Sequence, residues 1–171
     1  MQTPAGIEKD IYRAKTRFAL YGQEISADEY FQKLIAEYRQ AIQNTQQLMR
    51  ELSLVALCSN CAAEEHGSCC AEEVENWYDD WLFFINLLMG ATVDNVREAQ
   101  GHCLFVGADG CKLIARHSFC VNFLCPEIVR ALEASEKQKL LAISGTELFA
   151  GWTLEQQLRK WFSNNSKNII L

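Results

Sequence analysis

Cys58–Cys70 reads CSNCAAEEHGSCC, four cysteines and a histidine within thirteen residues. Thiols so gathered are disulfide partners, metal ligands or a redox couple, and the choice decides how the flanking segments are organised. All eight cysteines, Cys58, Cys61, Cys69, Cys70, Cys103, Cys111, Cys120 and Cys125, fall in the middle of the chain. The first 57 and the last 46 residues carry none. Cysteines used only as small hydrophobic side chains would be scattered along the helices. The histidines follow the thiols: His66 lies inside the first group, His102 adjoins Cys103, and His117 stands three before Cys120. Proximity is their only credential, so they read as supporting or surface residues more than as ligands.

Compartment bears on the choice. The chain has 171 residues, which suits one domain with a real core. It is 49% hydrophobic and 22% charged, a globular composition. Its net charge is −6, from 16 bases against 22 acids. That disfavours nucleic acid, whose phosphates demand a basic surface, and a polybasic membrane contact. The N-terminal stretch has scattered charges and no apolar core of a signal peptide. The greasiest run, Trp81 to Ala91, falls short of the roughly 20 residues that span a bilayer. A cytoplasmic location is therefore expected, and there disulfides are rare. A chain of this size does not need staples either. Metal binding or thiol chemistry remains the better reading.

Spacing adds detail. Cys58-x2-Cys61 lets two thiolates from one turn reach a single ion, as in zinc knuckles and iron–sulfur loops. Cys120-x4-Cys125 can do the same with a wider loop. Cys103 and Cys111 straddle Gly107-Ala108-Asp109-Gly110, which reads as the turn of a small hairpin. Adjacent side chains diverge in helix and strand alike. Cys69 and Cys70 should then serve two neighbouring centres, or one ligates and the other does not.

Around this region the chain reads as helical. Ile11, Ala14, Phe18 and Tyr21 mark a helix over 8–21 that Gly22 ends. Ser26 to Glu29 has the form of a capping box. It opens one long helix carrying Phe31, Leu34, Ile35, Tyr38, Ile42, Thr45, Met49, Leu52 and Ala56 on its apolar face, up to Cys58. A further helix runs from Glu72 to Gly90, with Trp77 to Phe84 as a core stripe, and a short one covers 95–100. Pro126 suits a first helical turn, continuing to Leu141. Ile143 to Thr146 read as a turn, and Thr153 caps a last helix ending near Phe162. The expected fold is mainly α: a single domain with N-terminal helices over 1–57, a cysteine-cluster region with a small β-hairpin over 58–126, and C-terminal helices over 127–171.

The pattern CSNCAAEEHGSCC followed by CLFVGADGCKLIARHSFCVNFLC resembles the bacterial and archaeal cysteine-cluster family described as zinc- or iron-chelating domains. Cys58, Cys61, Cys69 and Cys70 match its first half. Cys103, Gly110, Cys111, Arg116, Cys120, Phe123 and Cys125 match its second. The resemblance spans about 58–126. Two features depart from it: the seven-residue spacer before Cys69 is longer than usual, and His117 stands where the family has proline. The family resemblance implies metal chelation through these eight cysteines. A similar cluster occurs in enzymes that methylate flagellin lysines, but no glycine-rich nucleotide loop of that kind is visible here.

The sequence thus points to a metal-binding protein whose ligands are the eight cysteines. The metal is zinc or iron, mononuclear or as an iron–sulfur cluster. Competing readings are an iron–sulfur electron-transfer protein or enzyme, a thiol redox sensor, and a helical interaction module stabilised by a structural metal. The metal ion is the expected partner; no protein partner is indicated.

Overall fold

The computed structural model describes residues 5–63 and 69–165. Helix α1 (Ala5–Ala27) runs through Gly22 and Ser26, and the next cap is Asp28, not Ser26. The Asp28 carboxylate accepts from the amides of Tyr30 (2.8 Å) and Phe31 (3.2 Å), satisfying two donors that a helix start leaves open. Helix α2 (Glu29–Glu51) is the amphipathic element the sequence predicts, burying Phe31, Tyr38, Ile42, Thr45 and Leu48. It stops earlier than expected. Ser53 adopts φ 58, a left-handed conformation, and α3 (Leu54–Ala63) departs from there. Cys58 and Cys61 therefore stand on a helix, one turn apart on one face, and not in a loop.

The predicted helix over 72–90 is two pieces. A 3-10 turn (Val74–Trp77) ends at Tyr78, and Asp79 then caps α4 (Asp80–Leu88) by accepting from Leu82 N at 2.8 Å. Trp77 consequently lies half-exposed, outside the expected core stripe, while Tyr78, Phe83 and Phe84 are buried. Gly90 ends the element at φ 81, as its placement suggested. No helix forms over 95–100. Lys112 Nζ takes the Val96 carbonyl (3.1 Å) and Arg97 is drawn into bonds described below, which hold the segment extended. The hairpin is present in shortened form, as β1 (Val106–Gly107) paired antiparallel with β2 (Gly110–Cys111). Cys111 is on an arm; Cys103 precedes the first arm by three residues.

Helices α5 (Ser118–Asn122) and α6 (Pro126–Ala131) follow, the latter with Pro126 in its first turn as read from sequence. It ends at Leu132 instead of continuing to Leu141. The last element is then one helix, α7 (Ala134–Asn165), with no turn at Ser144–Thr146 and no new start at Thr153. The hydroxyls of the expected turn and cap bond back within the helix: Thr146 to Ala142 O (3.1 Å) and Thr153 to Phe149 O (2.8 Å).

These helices form a single, mainly α domain. Helix α2 packs along α7, and α1 along α4. Gly151 permits the first contact, since a Cβ there would sit 2.8 Å from the Tyr38 ring. Arg17 fastens the second, pairing with Asp80 (2.8 Å) while its guanidinium lies 4.0 Å over the Trp81 ring. The main core holds Ile11, Ile25, Phe31, Ile42, Phe83, Phe84, Leu154 and Leu158. A smaller second core gathers Leu48, Leu54, Ile128, Leu132 and Leu140 where α2, α3, α6 and α7 meet. Among the described residues, no helix is long and apolar enough to cross a membrane.

Candidate metal centre

The cysteine-bearing loops are fixed by the rest of the fold. Leu104, Phe105, Leu113 and Ala115 are buried in the main core, so both flanks of the hairpin are pinned. Asn86, fully buried on α4, does much of the pinning. Its Oδ1 accepts from the amides of Ile114 (2.8 Å) and Ala115 (3.0 Å), and its Nδ2 donates to Ala115 O (2.8 Å) and Leu82 O (2.9 Å). The chain between Cys111 and Cys120 is thereby clamped to α4.

A second clamp joins the Cys69–Cys70 pair to Cys103. The amide of Cys103 donates to Cys70 O at 2.7 Å, and Ala71 and His102 form an isolated β-bridge. Arg97 spans the same junction, donating to the buried Glu75 carboxylate and to His102 O. Glu72 accepts from Gly101 N at 3.2 Å. From Cys103 the chain turns through Val106 N to Cys103 O (2.9 Å) into the hairpin that carries Cys111.

Tyr78 ties in the last helix. Its hydroxyl accepts from His117 N (3.1 Å) and donates to Cys120 Sγ (3.8 Å), while its ring packs on Phe83 and Phe105. His117 caps α5, its Nδ1 accepting from Phe119 N at 3.2 Å. Burial holds its pKa below the usual value, which suits a neutral acceptor. His102 Nδ1 lies 3.0 Å from Gln100 O. Both histidines thus meet a backbone group through Nδ1; His66 lies outside the described residues.

The eight thiols meet in one region, and none is in a disulfide. Their mutual electrostatic influence maps the neighbourhood. The Cys58 thiol is pushed up by burial first, then by Cys69, Cys125 and Cys61. Cys103 is pushed up to about 12 by burial, with smaller contributions from Glu75, Cys111 and Cys120. Cys120 is raised by burial, and the Tyr78 hydroxyl opposes that shift. Cys111 has an exposed residue surface, yet protein crowds its sulfur enough for desolvation to raise it. Cys69 and Cys70 do not diverge as adjacent residues in regular structure do. Their side chains hydrogen-bond, which lowers Cys69 and raises Cys70.

Arg116 sits among them. Its positive charge acts on Cys58, Cys69, Cys111 and Cys120 alike, and its Nε and Nη2 are buried without a hydrogen-bond partner. A buried guanidinium with orphaned donors calls for anionic charge nearby. The buried Glu147 carboxylate is one such neighbour, and thiolates supply further charge once their protons are lost. Among the described residues no three His, Cys, Asp or Glu side chains stand close enough together to hold an ion as placed, so the thiols are neighbours and not a closed coordination shell.

No family model, curated protein or solved structure matches the chain. The site rests on its own residues. Sequence reading found all eight cysteines but missed Asn86, Arg97, Glu75 and Tyr78, which position them. For Asn86 a signal existed: a lone amide inside the apolar run WLFFINLLMG.

Proposed function

We propose that this protein binds a thiophilic metal, zinc or iron, through its cysteine cluster, and that the metal is structural or stored. The observation that carries this reading is the gathering of the thiols, none in a disulfide, with four of them near Arg116, whose Nε and Nη2 are buried without a hydrogen-bond partner. Thiolate donors select zinc, copper(I) or iron–sulfur centres over hard cations. The negative charge of a metal–thiolate centre would give the orphaned Arg116 donors a counter-charge in addition to the nearby Glu147 carboxylate. The resemblance to zinc- or iron-chelating cysteine-cluster domains points the same way. Bound there, the metal would cross-link α3, the Cys69–Cys70 turn, the hairpin and α5–α6. The acidic balance of the chain argues against a nucleic-acid partner.

Purification under anaerobic, reducing conditions tests this directly. Metal analysis should find zinc or iron in stoichiometric amount, and acid-labile sulfide separates a cluster from a mononuclear site. Removing the metal with a strong chelator should lower the melting temperature, because ligand binding to the folded state alone adds to its stability. Proteolysis should then cut between Cys58 and Cys125 while α1 and α2 persist. A metal-free preparation that takes up neither metal on reconstitution, with an unchanged melt, refutes the reading.

A further inference from the structure

Between α4 and α7 lies a cavity of about 430 Å³, a volume within the range of small-molecule sites. Leu82 and Ile85 of α4 and Leu148 of α7 give it apolar walls, and the half-exposed indoles of Trp77 and Trp152 stand at its mouth. Most of its ionisable lining is committed elsewhere. Asp79 accepts from Leu82 N at 2.8 Å and pairs with Arg159 at 3.3 Å. Glu155 pairs with the same Arg159 at 2.7 Å. His117 Nδ1 accepts from Phe119 N. On the inner side, two donors have no such commitment. Tyr38 is only 3% exposed and lines the cavity, yet its hydroxyl meets no hydrogen-bond partner among the described residues. Gly151 leaves that hydroxyl uncovered, because a Cβ there would lie 2.9 Å from its oxygen. Arg116 is the second donor. Its Nε and Nη2 are enclosed by protein, so Nη1 is the nitrogen it can offer to the cavity.

We propose that this cavity binds a small organic monocarboxylate with an apolar body. The proposal goes beyond the metal-binding reading and does not rest on it. The Tyr38 hydroxyl and Arg116 Nη1 donate to the carboxylate, and the walls and indoles take the hydrocarbon. A buried hydroxyl without a partner forfeits a hydrogen bond, and the bound anion restores it. Charge selects the class. Among the described residues Arg116 is the only lysine or arginine in the lining. Glu147, fully buried near both Tyr38 and Arg116, offsets part of its charge, and Asp79 and Glu155 stand in the same lining. One guanidinium so offset suits a single negative charge. A dianion would meet repulsion that nothing in the lining cancels. A neutral molecule of the same shape would fill the walls but forgo the charge-assisted bond.

The test uses the full chain under reducing conditions, titrated with phenylacetate, with phenethyl alcohol as the neutral counterpart and inorganic phosphate as the anion without a body. Binding is followed by NMR of the indole N–H groups, assigned with Trp77→Phe and Trp152→Phe. Phenylacetate should shift the Trp77 and Trp152 signals saturably, and more than those of Trp81 and Trp161, which do not line the cavity. The alcohol and phosphate should each bind at least about ten-fold more weakly. Tyr38→Phe keeps the ring and removes the hydroxyl, and should weaken phenylacetate binding about ten-fold. Arg116→Gln should abolish the preference for the acid over the alcohol. The wild-type titrations and Tyr38→Phe decide the matter even if the Arg116 variant fails to fold. The proposal is overturned by the absence of a saturable shift up to about 20 mM phenylacetate, by phosphate or the alcohol binding as tightly as the acid, or by unchanged affinity in Tyr38→Phe.

Discussion

Asn86→Ala is expected to be the most damaging single change outside the cysteines, and its cost can be worked out. Asn86 is fully buried and satisfies three backbone groups of another segment: Ile114 N, Ala115 N and Ala115 O. Its fourth bond, to Leu82 O, lies within its own helix and leaves no orphan when lost, because Leu82 O can still accept the usual α-helical bond. Each buried backbone group left unsatisfied costs about 1–3 kcal/mol. Three together would cost roughly 3–6 kcal/mol, allowing for partial relaxation and water entry. For a chain of this length each kcal/mol corresponds to about 2–4 °C. Thermal melts followed by circular dichroism should therefore fall by roughly 6–24 °C. Hydrogen exchange should show faster exchange at the Ile114 and Ala115 amides than in the wild type, beyond the global change. Metal uptake should weaken as well, since Cys111 and Cys120 flank the released segment. A loss below about 1 kcal/mol, or unchanged protection at those two amides, would show that Asn86 does not hold the cysteine loop.

Two further changes test other features. Glu147 is fully buried with neither carboxylate oxygen hydrogen-bonded, and burial raises its pKa above the ordinary 4.5. Thr45 and Arg116 lie near enough to favour its charged form, but the Thr45 hydroxyl is directed at Ala41 O (3.3 Å); Tyr38 faces the same carboxylate. A raised folded pKa means that its stabilising contribution is complete below 4.5 and is lost as pH climbs through the folded value. Glu147→Met should then gain about 1–3 kcal/mol at pH 7.5 and much less at pH 4, measured by urea unfolding; a loss at pH 7.5 would show that the carboxylate is paired with Arg116 in solution. Glu73 is exposed and held at φ 78 just after the Cys69–Cys70 pair. Glu73→Gly should raise stability by about 1 kcal/mol by relieving the left-handed strain, and a destabilised variant would contradict that backbone conformation.

The amphipathic helices were legible because their periodicity reports burial directly: Phe31, Tyr38, Ile42 and Leu48 fall on the buried face that the pattern predicts. Their breaks were not. The α2–α3 break occurs at Ser53, without a glycine or proline to announce it. The opposite error arose at Ser144, Gly145 and Thr146, which carry every mark of a turn and yet lie inside α7. Whether a serine or threonine caps or continues a helix depends on where its hydroxyl points, and here Thr146 and Thr153 point back four residues. The segment over 95–100 lost its helix to side chains from elsewhere in the chain, Lys112 and Glu75, which no local pattern contains.

The cysteines show the same limit more sharply. Their gathering between residues 58 and 125 was visible in the sequence and is realised in space. Their grouping was not, because spacing treats the chain as if neighbours in sequence shared surroundings. Cys120 and Cys125 are five apart, but Asn122 ends a helix between them and they turn to separate cores. Cys70 and Cys103 are 33 apart and are joined by a 2.7 Å backbone bond. The clamps formed by Asn86, Arg97 and Tyr78 bring a linear series of thiols together in space, and they do so with bonds that do not involve a metal. Such a scaffold holds the sulfurs near one another before an ion arrives, so that binding has less chain entropy to overcome than in a loop that folds only on its metal. The Asn86→Ala variant is for that reason a probe of metal affinity as much as of stability.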